Sequence, residues 1–184
     1  MRQRAAALAP EIAECLARRC DLWIFGYGSL MWDPGFAHAE AQPALLRGYH
    51  RSFCVYSRRH RGTPELPGLV LGLDRGGACK GIVFRVPAAD VAAALHYLWD
   101  REMVRGTYRL KEVPVEIAGR RLSARVFVVD RAHASYAGRL PTEAAARLIL
   151  QGIGGSGSCR QYLENTVREL RKLGLVDGPI HRLE

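Results

Sequence analysis

Leu22-Trp23-Ile24-Phe25-Gly26-Tyr27-Gly28-Ser29-Leu30 is the stretch on which the reading of this chain turns. Its four leading apolar residues, closed by a glycine, have the length and composition of a strand buried on both faces. That strand runs straight into a loop in which Gly26 and Gly28 flank one residue. The spacing permits a tight turn and lets a ligand approach main-chain N–H groups closely. Successive N–H groups in such a turn make a concave nest for a carboxylate or an oxyanion. The same residues also fit a plain turn with no ligand.

Working outward, residues 10–20 read as a short helix with Pro10 in its first turn and Ile12 and Leu16 on one face. Before it, Ala5 to Ala9 is an apolar run too short for a secretory signal. No run of 18 apolar, uncharged residues occurs, so no membrane-spanning helix is expected and the cytoplasm is the default. After the loop, Asp33-Pro34-Gly35 marks a turn and residues 44–57 a long or bent strand. Residues 59–68, with Gly62, Pro64, Pro67 and Gly68, read as a loop. Residues 69–73 and 81–86 read as strands around a Gly76-Gly77 turn. A helix is expected over 88–103, with Asp90 in its first turn. Residues 108–117 and 121–129 form a hairpin joined at Ala118-Gly119-Arg120. Thr142 caps a helix over 143–151, a glycine-rich loop follows from Gly152 to Ser158, and an amphipathic helix over 159–173 ends at Gly174. Strands in hairpin-like runs with helices set apart define the class as α+β.

The chain has 184 residues, one domain's worth, read as a single unit over 1–184 with residues 1–20 as an N-terminal helical extension. It is 48% hydrophobic and 24% charged, which excludes a disordered or fibrous chain. The net charge of +9 comes from 24 Arg and 3 Lys against 18 acidic residues. With 24 Ala beside them, the arginines fit a genome-composition bias; they also fit attraction to an anionic partner. The densest run, Arg58-Arg59-His60-Arg61, is too short to be a nucleic-acid footprint by itself. The five cysteines (Cys15, Cys20, Cys54, Cys79 and Cys159) are odd in number and contain no CxxC, which argues against a disulfide framework or a four-cysteine zinc site. The six histidines show no metal-ligand spacing, so no metal is expected.

One charged residue is out of place. Val91, Leu95 and Leu98 mark the apolar stripe of the 88–103 helix. At 100° per residue, Glu102 falls within about 40° of all three, while Asp100 projects to the opposite side and Arg101 well away. A carboxylate held against apolar surface has a raised pKa, and one nearer neutrality can accept and return a proton. Two plainer readings stay open: the helix ends at Leu98 and Glu102 turns to solvent, or Glu102 pairs with Arg101 or Arg105.

Other motifs carry less. Gly152-Ile153-Gly154-Gly155-Ser156-Gly157 matches G-x-G-x-x-G, but a helix rather than a strand precedes it, which opposes a dinucleotide site. Ser29 has no nucleophile elbow around it, and Cys54 lies in a strand pattern that marks it as core. Tyr136, in a polar segment after a strand, fits either a hydroxyl offered to a ligand or a half-buried anchor.

Taken together the motifs are specific. Phe25 to Trp32, Arg47-Gly48-Tyr49-His50-Arg51-Ser52-Phe53-Cys54, His60-Arg61-Gly62-Thr63-Pro64-Glu65 with Pro67 to Leu71, Leu98-Trp99-Asp100-Arg101-Glu102, and Gly155-Ser156-Gly157 with Tyr162-Leu163 stand in order across residues 22–173. In this the chain resembles the ChaC family of γ-glutamylcyclotransferases, which act on glutathione. The resemblance implies a γ-glutamylcyclotransferase-like small mixed β-barrel with surrounding helices. It implies that Tyr27, Gly28, Ser29 and Leu30, with Gly26 and Met31 at the ends, hold the γ-glutamyl group, and that Glu102 is the catalytic acid/base. It places Tyr136 near the substrate. An asparagine usual after the Ser-Gly loop is Cys159 here, which puts any ligand contact at that position in doubt. The expected reaction is intramolecular: the glutamyl α-amine attacks its own δ-carbonyl, giving 5-oxoproline and cysteinylglycine. It needs no protein nucleophile, no cofactor and no metal. The rival expectations are a cyclotransferase for other γ-glutamyl amino acids or amines, and a basic nucleic-acid-binding module.

Overall fold

The computed structural model describes residues 10–103 and 106–183. The Ala5–Ala9 run and the rest of residues 1–9 lie outside these, as does Arg105. Five strands form a closed barrel: β1 (Leu22–Gly26), β2 (Glu40–Ser57), β3 (Gly68–Val86), β4 (Tyr108–Ile117) and β5 (Arg120–Val129), in the order β1-β3-β2-β4-β5. Neighbours are antiparallel except at the seam, where β1 meets β5 in parallel through Ile24 and Arg125. Helices α1 (Pro10–Ala17), α2 (Val91–Leu98), α3 (Thr142–Gln151), α4 (Cys159–Lys172) and the short α5 (Gly178–His181) complete the chain, with a two-stranded ribbon of β6 (Ile153–Gly154) and β7 (Gly157–Ser158) before α4. Among the described residues no helix is long and apolar enough to cross a membrane.

The apolar runs are explained by two-sided burial. Phe25, Leu46, Phe53, Leu71, Val83, Val115 and Val126 join one core, which α3 and α4 close with Ile149, Tyr162, Val167 and Leu170. The alternate residues Ile24, Phe84, Val86, Leu110 and Phe127 face a second core under α1 and α2. A strand packed on both faces reads as a continuous hydrophobic run rather than an alternating one, as Leu22 to Phe25 does.

Four expectations need correcting. Residues 69–73 and 81–86 are parts of one strand, β3, paired with β2 on both sides of Gly76-Gly77. The register passes from Arg47–Ala78 to Tyr49–Arg75, so Gly48 bulges out opposite Gly76 and Gly77, and all three adopt positive φ. The glycines bend both strands together instead of reversing one. The 88–103 helix is α-helical only over Val91–Leu98 and then widens into one π-turn, Trp99–Met103. Thr142 is the first helical residue rather than the cap, and Pro141 precedes it with no side-chain cap bond. The 152–158 loop contains the β6–β7 ribbon, and Ser158 caps α4 by accepting from Gln161 N–H. The β4–β5 hairpin turns on Ala118 and Gly119, both at positive φ.

Candidate active site

The loop begins where β1 ends. A Cβ at Gly81 would sit 2.3 Å from the Gly26 carbonyl oxygen, so β3 passes against the loop's root only because residue 81 is glycine. Tyr27 is buried, and Ser29–Met31 form one 3-10 turn in which Met31 N–H bonds to Gly28 O at 2.9 Å. A Cβ at Gly28 would lie 3.0 Å from the Tyr162 hydroxyl and 3.6 Å from Leu71. Among the described residues, the N–H groups of Gly28, Ser29 and Leu30 donate to no acceptor.

Arg51 holds this loop from inside. It is buried, and its Nε donates to the Tyr27 carbonyl, one Nη to the Lys80 carbonyl at 2.7 Å and the other to Asp177 at 3.3 Å, with Met31 Sδ at 3.7 Å. The Tyr27, Gly28 and Ser29 carbonyls are thus all engaged as acceptors.

Glu102 lies in the π-turn. Such turns recur at functional sites because they shift side chains off the regular helical repeat. The side chain is 17% exposed and burial raises its pKa; the Arg101 guanidinium, 3.4 Å away, pulls it back in part. The carboxylate therefore faces inward although the α-helix does end at Leu98, and it is paired with Arg101 besides. Its field also raises the hydroxyls of Tyr27, Tyr108 and Tyr162, which burial already pushes above their ordinary range. Tyr108 donates to the Leu71 carbonyl at 2.8 Å. Glu102 thus lies within electrostatic reach of three protonated phenols, one of which abuts Gly28 of the loop.

Arg101 corrects the expectation that it points away. Its guanidinium donates to Ser29 Oγ at 2.8 Å, the Asp33 carbonyl at 2.8 Å and the Tyr97 hydroxyl at 2.7 Å. It therefore ties the loop to the carboxylate's own turn. The 100° repeat assumed a regular helix, and the π-turn breaks that assumption at this residue. Arg51 had a usable signal: it shares the inward register of β2 with Phe53, a charged residue where an apolar one is due.

The remaining residues divide. The Tyr136 hydroxyl donates to Asp74 at 2.7 Å, in a cluster with Arg131 and next to Cys54, and its pKa is pushed up to about 12, chiefly by burial. Cys54 and Tyr108, the latter one of the phenols that Glu102 raises, pack in one small core with Tyr136. Cys54 is buried, and burial pushes its thiol up to about 12, which disfavours the thiolate. Cys159 is fully buried; its Sγ donates to the Leu69 carbonyl at 2.7 Å and accepts from Leu69 N–H at 3.4 Å. It fastens α4 to β3 with the donor–acceptor pair that an asparagine amide would also supply. Among the described residues no group of three His, Cys, Asp or Glu side chains is placed to hold a metal ion.

Comparison with known proteins bears on the family and the fold. The family model described as ChaC-like protein matches residues 22–184. A glutathione-specific γ-glutamylcyclotransferase of Escherichia coli (strain K12) is 38% identical over 182 residues, covering 98% of this chain and 78% of that protein. The Homo sapiens glutathione-specific γ-glutamylcyclotransferase 1 is 40% identical over 147 residues, covering 77% of this chain and 66% of its own length. A crystal structure of a yeast γ-glutamyl cyclotransferase specific to glutathione superposes with a TM-score of 0.82 at 23% identity, covering 89% of this chain and 94% of that one, which establishes a shared fold. With the family model spanning the barrel, the loop and Glu102 alike, the chain belongs to the family of ChaC-like proteins.

Proposed function

We propose that the chain is a glutathione-specific γ-glutamylcyclotransferase that converts glutathione to 5-oxoproline and cysteinylglycine. The observation that carries this is the pairing of one inward, desolvated carboxylate, Glu102, with a loop whose Gly28–Leu30 amides are uncommitted. The substrate supplies its own nucleophile, so the protein's tasks are positioning, proton transfer and charge stabilisation. The loop folds the glutamyl chain until the α-nitrogen meets the δ-carbon; such pre-orientation is worth a large fraction of a barrier. The α-ammonium gives one proton to solvent, and Glu102 takes a second from the same nitrogen as it adds to the δ-carbonyl. The amides of Gly28 to Leu30 hold the resulting oxyanion. Glu102 then returns its proton to the cysteinyl nitrogen as the C–N bond breaks. The protonated phenols around it are donors and do not compete as bases.

Incubation with reduced glutathione is expected to yield 5-oxoproline and cysteinylglycine in equal amounts, and γ-glutamyl amino acids or amines much less. Turnover of those compounds in preference to glutathione would overturn the substrate assignment; salt-sensitive nucleic-acid binding with no turnover would overturn the class.

The pH dependence follows from the site. Glu102 must be ionised to act as base, so kcat/KM is expected to fall on the acid side through a pKa above the ordinary glutamate value of about 4.3, because burial raises it. Arg101→Met removes the charge that opposes this rise and is expected to move the acid limb further up. A limb that stays in place would show that the group titrating there is not Glu102.

A further inference from the structure

Five arginines among the described residues are not exposed: Arg51, Arg61, Arg85, Arg101 and Arg125. Four of them have a carboxylate at close range: Arg51 with Asp177 at 3.3 Å, Arg85 with Asp21 at 2.6 Å, Arg101 with Glu102 at 3.4 Å and Arg125 with Glu112 at 2.8 Å. Arg61 has no carboxylate partner among the described residues; its Nη1 donates to the Ser158 carbonyl at 3.3 Å. A partly buried cation without a counter-ion is a cost to the fold, and it is also a site of attraction for an anion.

Its place is built rather than incidental. The Arg61 carbonyl would lie 2.0 Å from a Cβ at Gly68 and 2.4 Å from one at Gly152, so two glycines clamp its backbone. Its N–H bonds to Ser57 Oγ at 2.9 Å. The guanidinium lies over the ring of Tyr162, 5.5 Å from its centre. The hydroxyl of that same tyrosine abuts Gly28 and feels the field of Glu102. One aromatic ring therefore has the γ-glutamyl loop at its hydroxyl end and a cation without a carboxylate partner on its face. Two extended residues reach about 7 Å, the scale on which one ring separates the two.

We infer that Arg61 is the subsite for the C-terminal carboxylate of the substrate, two residues beyond the bond that breaks. This rests on the glutathione reading above and extends it: the enzyme measures the length of its substrate by a charge at the far end. A γ-glutamyl amine has no anion to offer there.

The test is a two-by-two comparison of kcat/KM. Unaltered protein and Arg61→Met are each assayed with glutathione and with glutathione whose glycine carboxylate is replaced by a carboxamide. Unaltered protein is expected to prefer the acid about 10- to 100-fold, the range for a hydrogen-bonded charge. In Arg61→Met that preference is expected to collapse to within about threefold of unity, and Arg61→Lys to recover part of it. An acid-to-amide ratio that is the same in unaltered protein and Arg61→Met would overturn the subsite. Should Arg61→Met fail to fold, unaltered protein that turns over both compounds equally overturns it without the variant. Absence of 5-oxoproline from both compounds with unaltered protein would overturn the function as well as the subsite, whereas turnover without the charge preference overturns the subsite alone.

Discussion

Glu102→Gln is expected to abolish 5-oxoproline formation and to leave the fold standing. The amide keeps the shape of the carboxyl but takes up no proton from an ammonium, and loss of a positioned general base costs about 10²- to 10⁴-fold in rate. The stability side has a definite sign. Burial raises the pKa of Glu102 in the native state above its unfolded value. Between those two values the native state holds a proton that the unfolded state has released. Stability therefore falls as pH rises through that window, and the ionised carboxylate works against folding at neutral pH. Gln carries no charge to desolvate, so the variant's melting temperature at neutral pH is expected to equal or exceed that of the unaltered protein. Thermal unfolding monitored beside product release separates the two effects. A folded variant with near-normal turnover would remove Glu102 from the mechanism.

Arg51→Leu is expected to have the opposite profile, a large loss of stability from which loss of activity follows. The guanidinium serves the Tyr27 carbonyl, the Lys80 carbonyl and Asp177 at once, inside the barrel end. Leucine leaves both carbonyls and an acid without a partner. Removing one member of a buried charged network costs about 3–5 kcal/mol, a large share of the about 5–15 kcal/mol that holds a domain together. The urea midpoint of the unfolding curve reads this directly. Arg51→Lys keeps the charge but not the fork, since one ammonium cannot reach acceptors lying in three directions. It is expected to fold better than Arg51→Leu and to bind substrate worse than the unaltered protein, because the Tyr27 carbonyl that Arg51 holds belongs to the proposed substrate loop.

The strands, the α4 helix and the Gly26–Leu30 turn were legible because each depends on local pattern: apolar runs, a glycine at a helix end, two glycines around one residue. Glu102 was legible for a reason that held only in part. The stripe argument used a regular helix through residue 102, and the chain has a π-turn there; the residue faces inward all the same. Arg101, one position earlier, was misplaced by the same assumption. Gly76-Gly77 misled because two glycines in a strand pattern look like a turn, and only the partner strand, with Gly48 opposite, makes them a shared bend. Arg51 carried one local signal, its inward register on β2, but the partners of Arg51 and Arg61 left no trace in the local pattern. What distinguishes a working arginine among 24 is its set of partners, and those lie up to 126 positions away in the chain.

The seam of the barrel has a consequence for how the molecule breathes. β2 and β3 pair along nearly their whole length, and β4 and β5 form a complete hairpin, but β1 joins β5 through the single pair Ile24–Arg125. Hairpins of neighbouring strands close early and independently, whereas a join between distant segments waits for them. Amide hydrogens along the β1–β5 seam therefore have the least to break before exchanging with solvent, and those of the β2–β3 ladder the most. β1 also ends in the Tyr27–Leu30 loop and is held along its whole length by β3, so faster exchange is expected on its β5 edge than on its β3 edge.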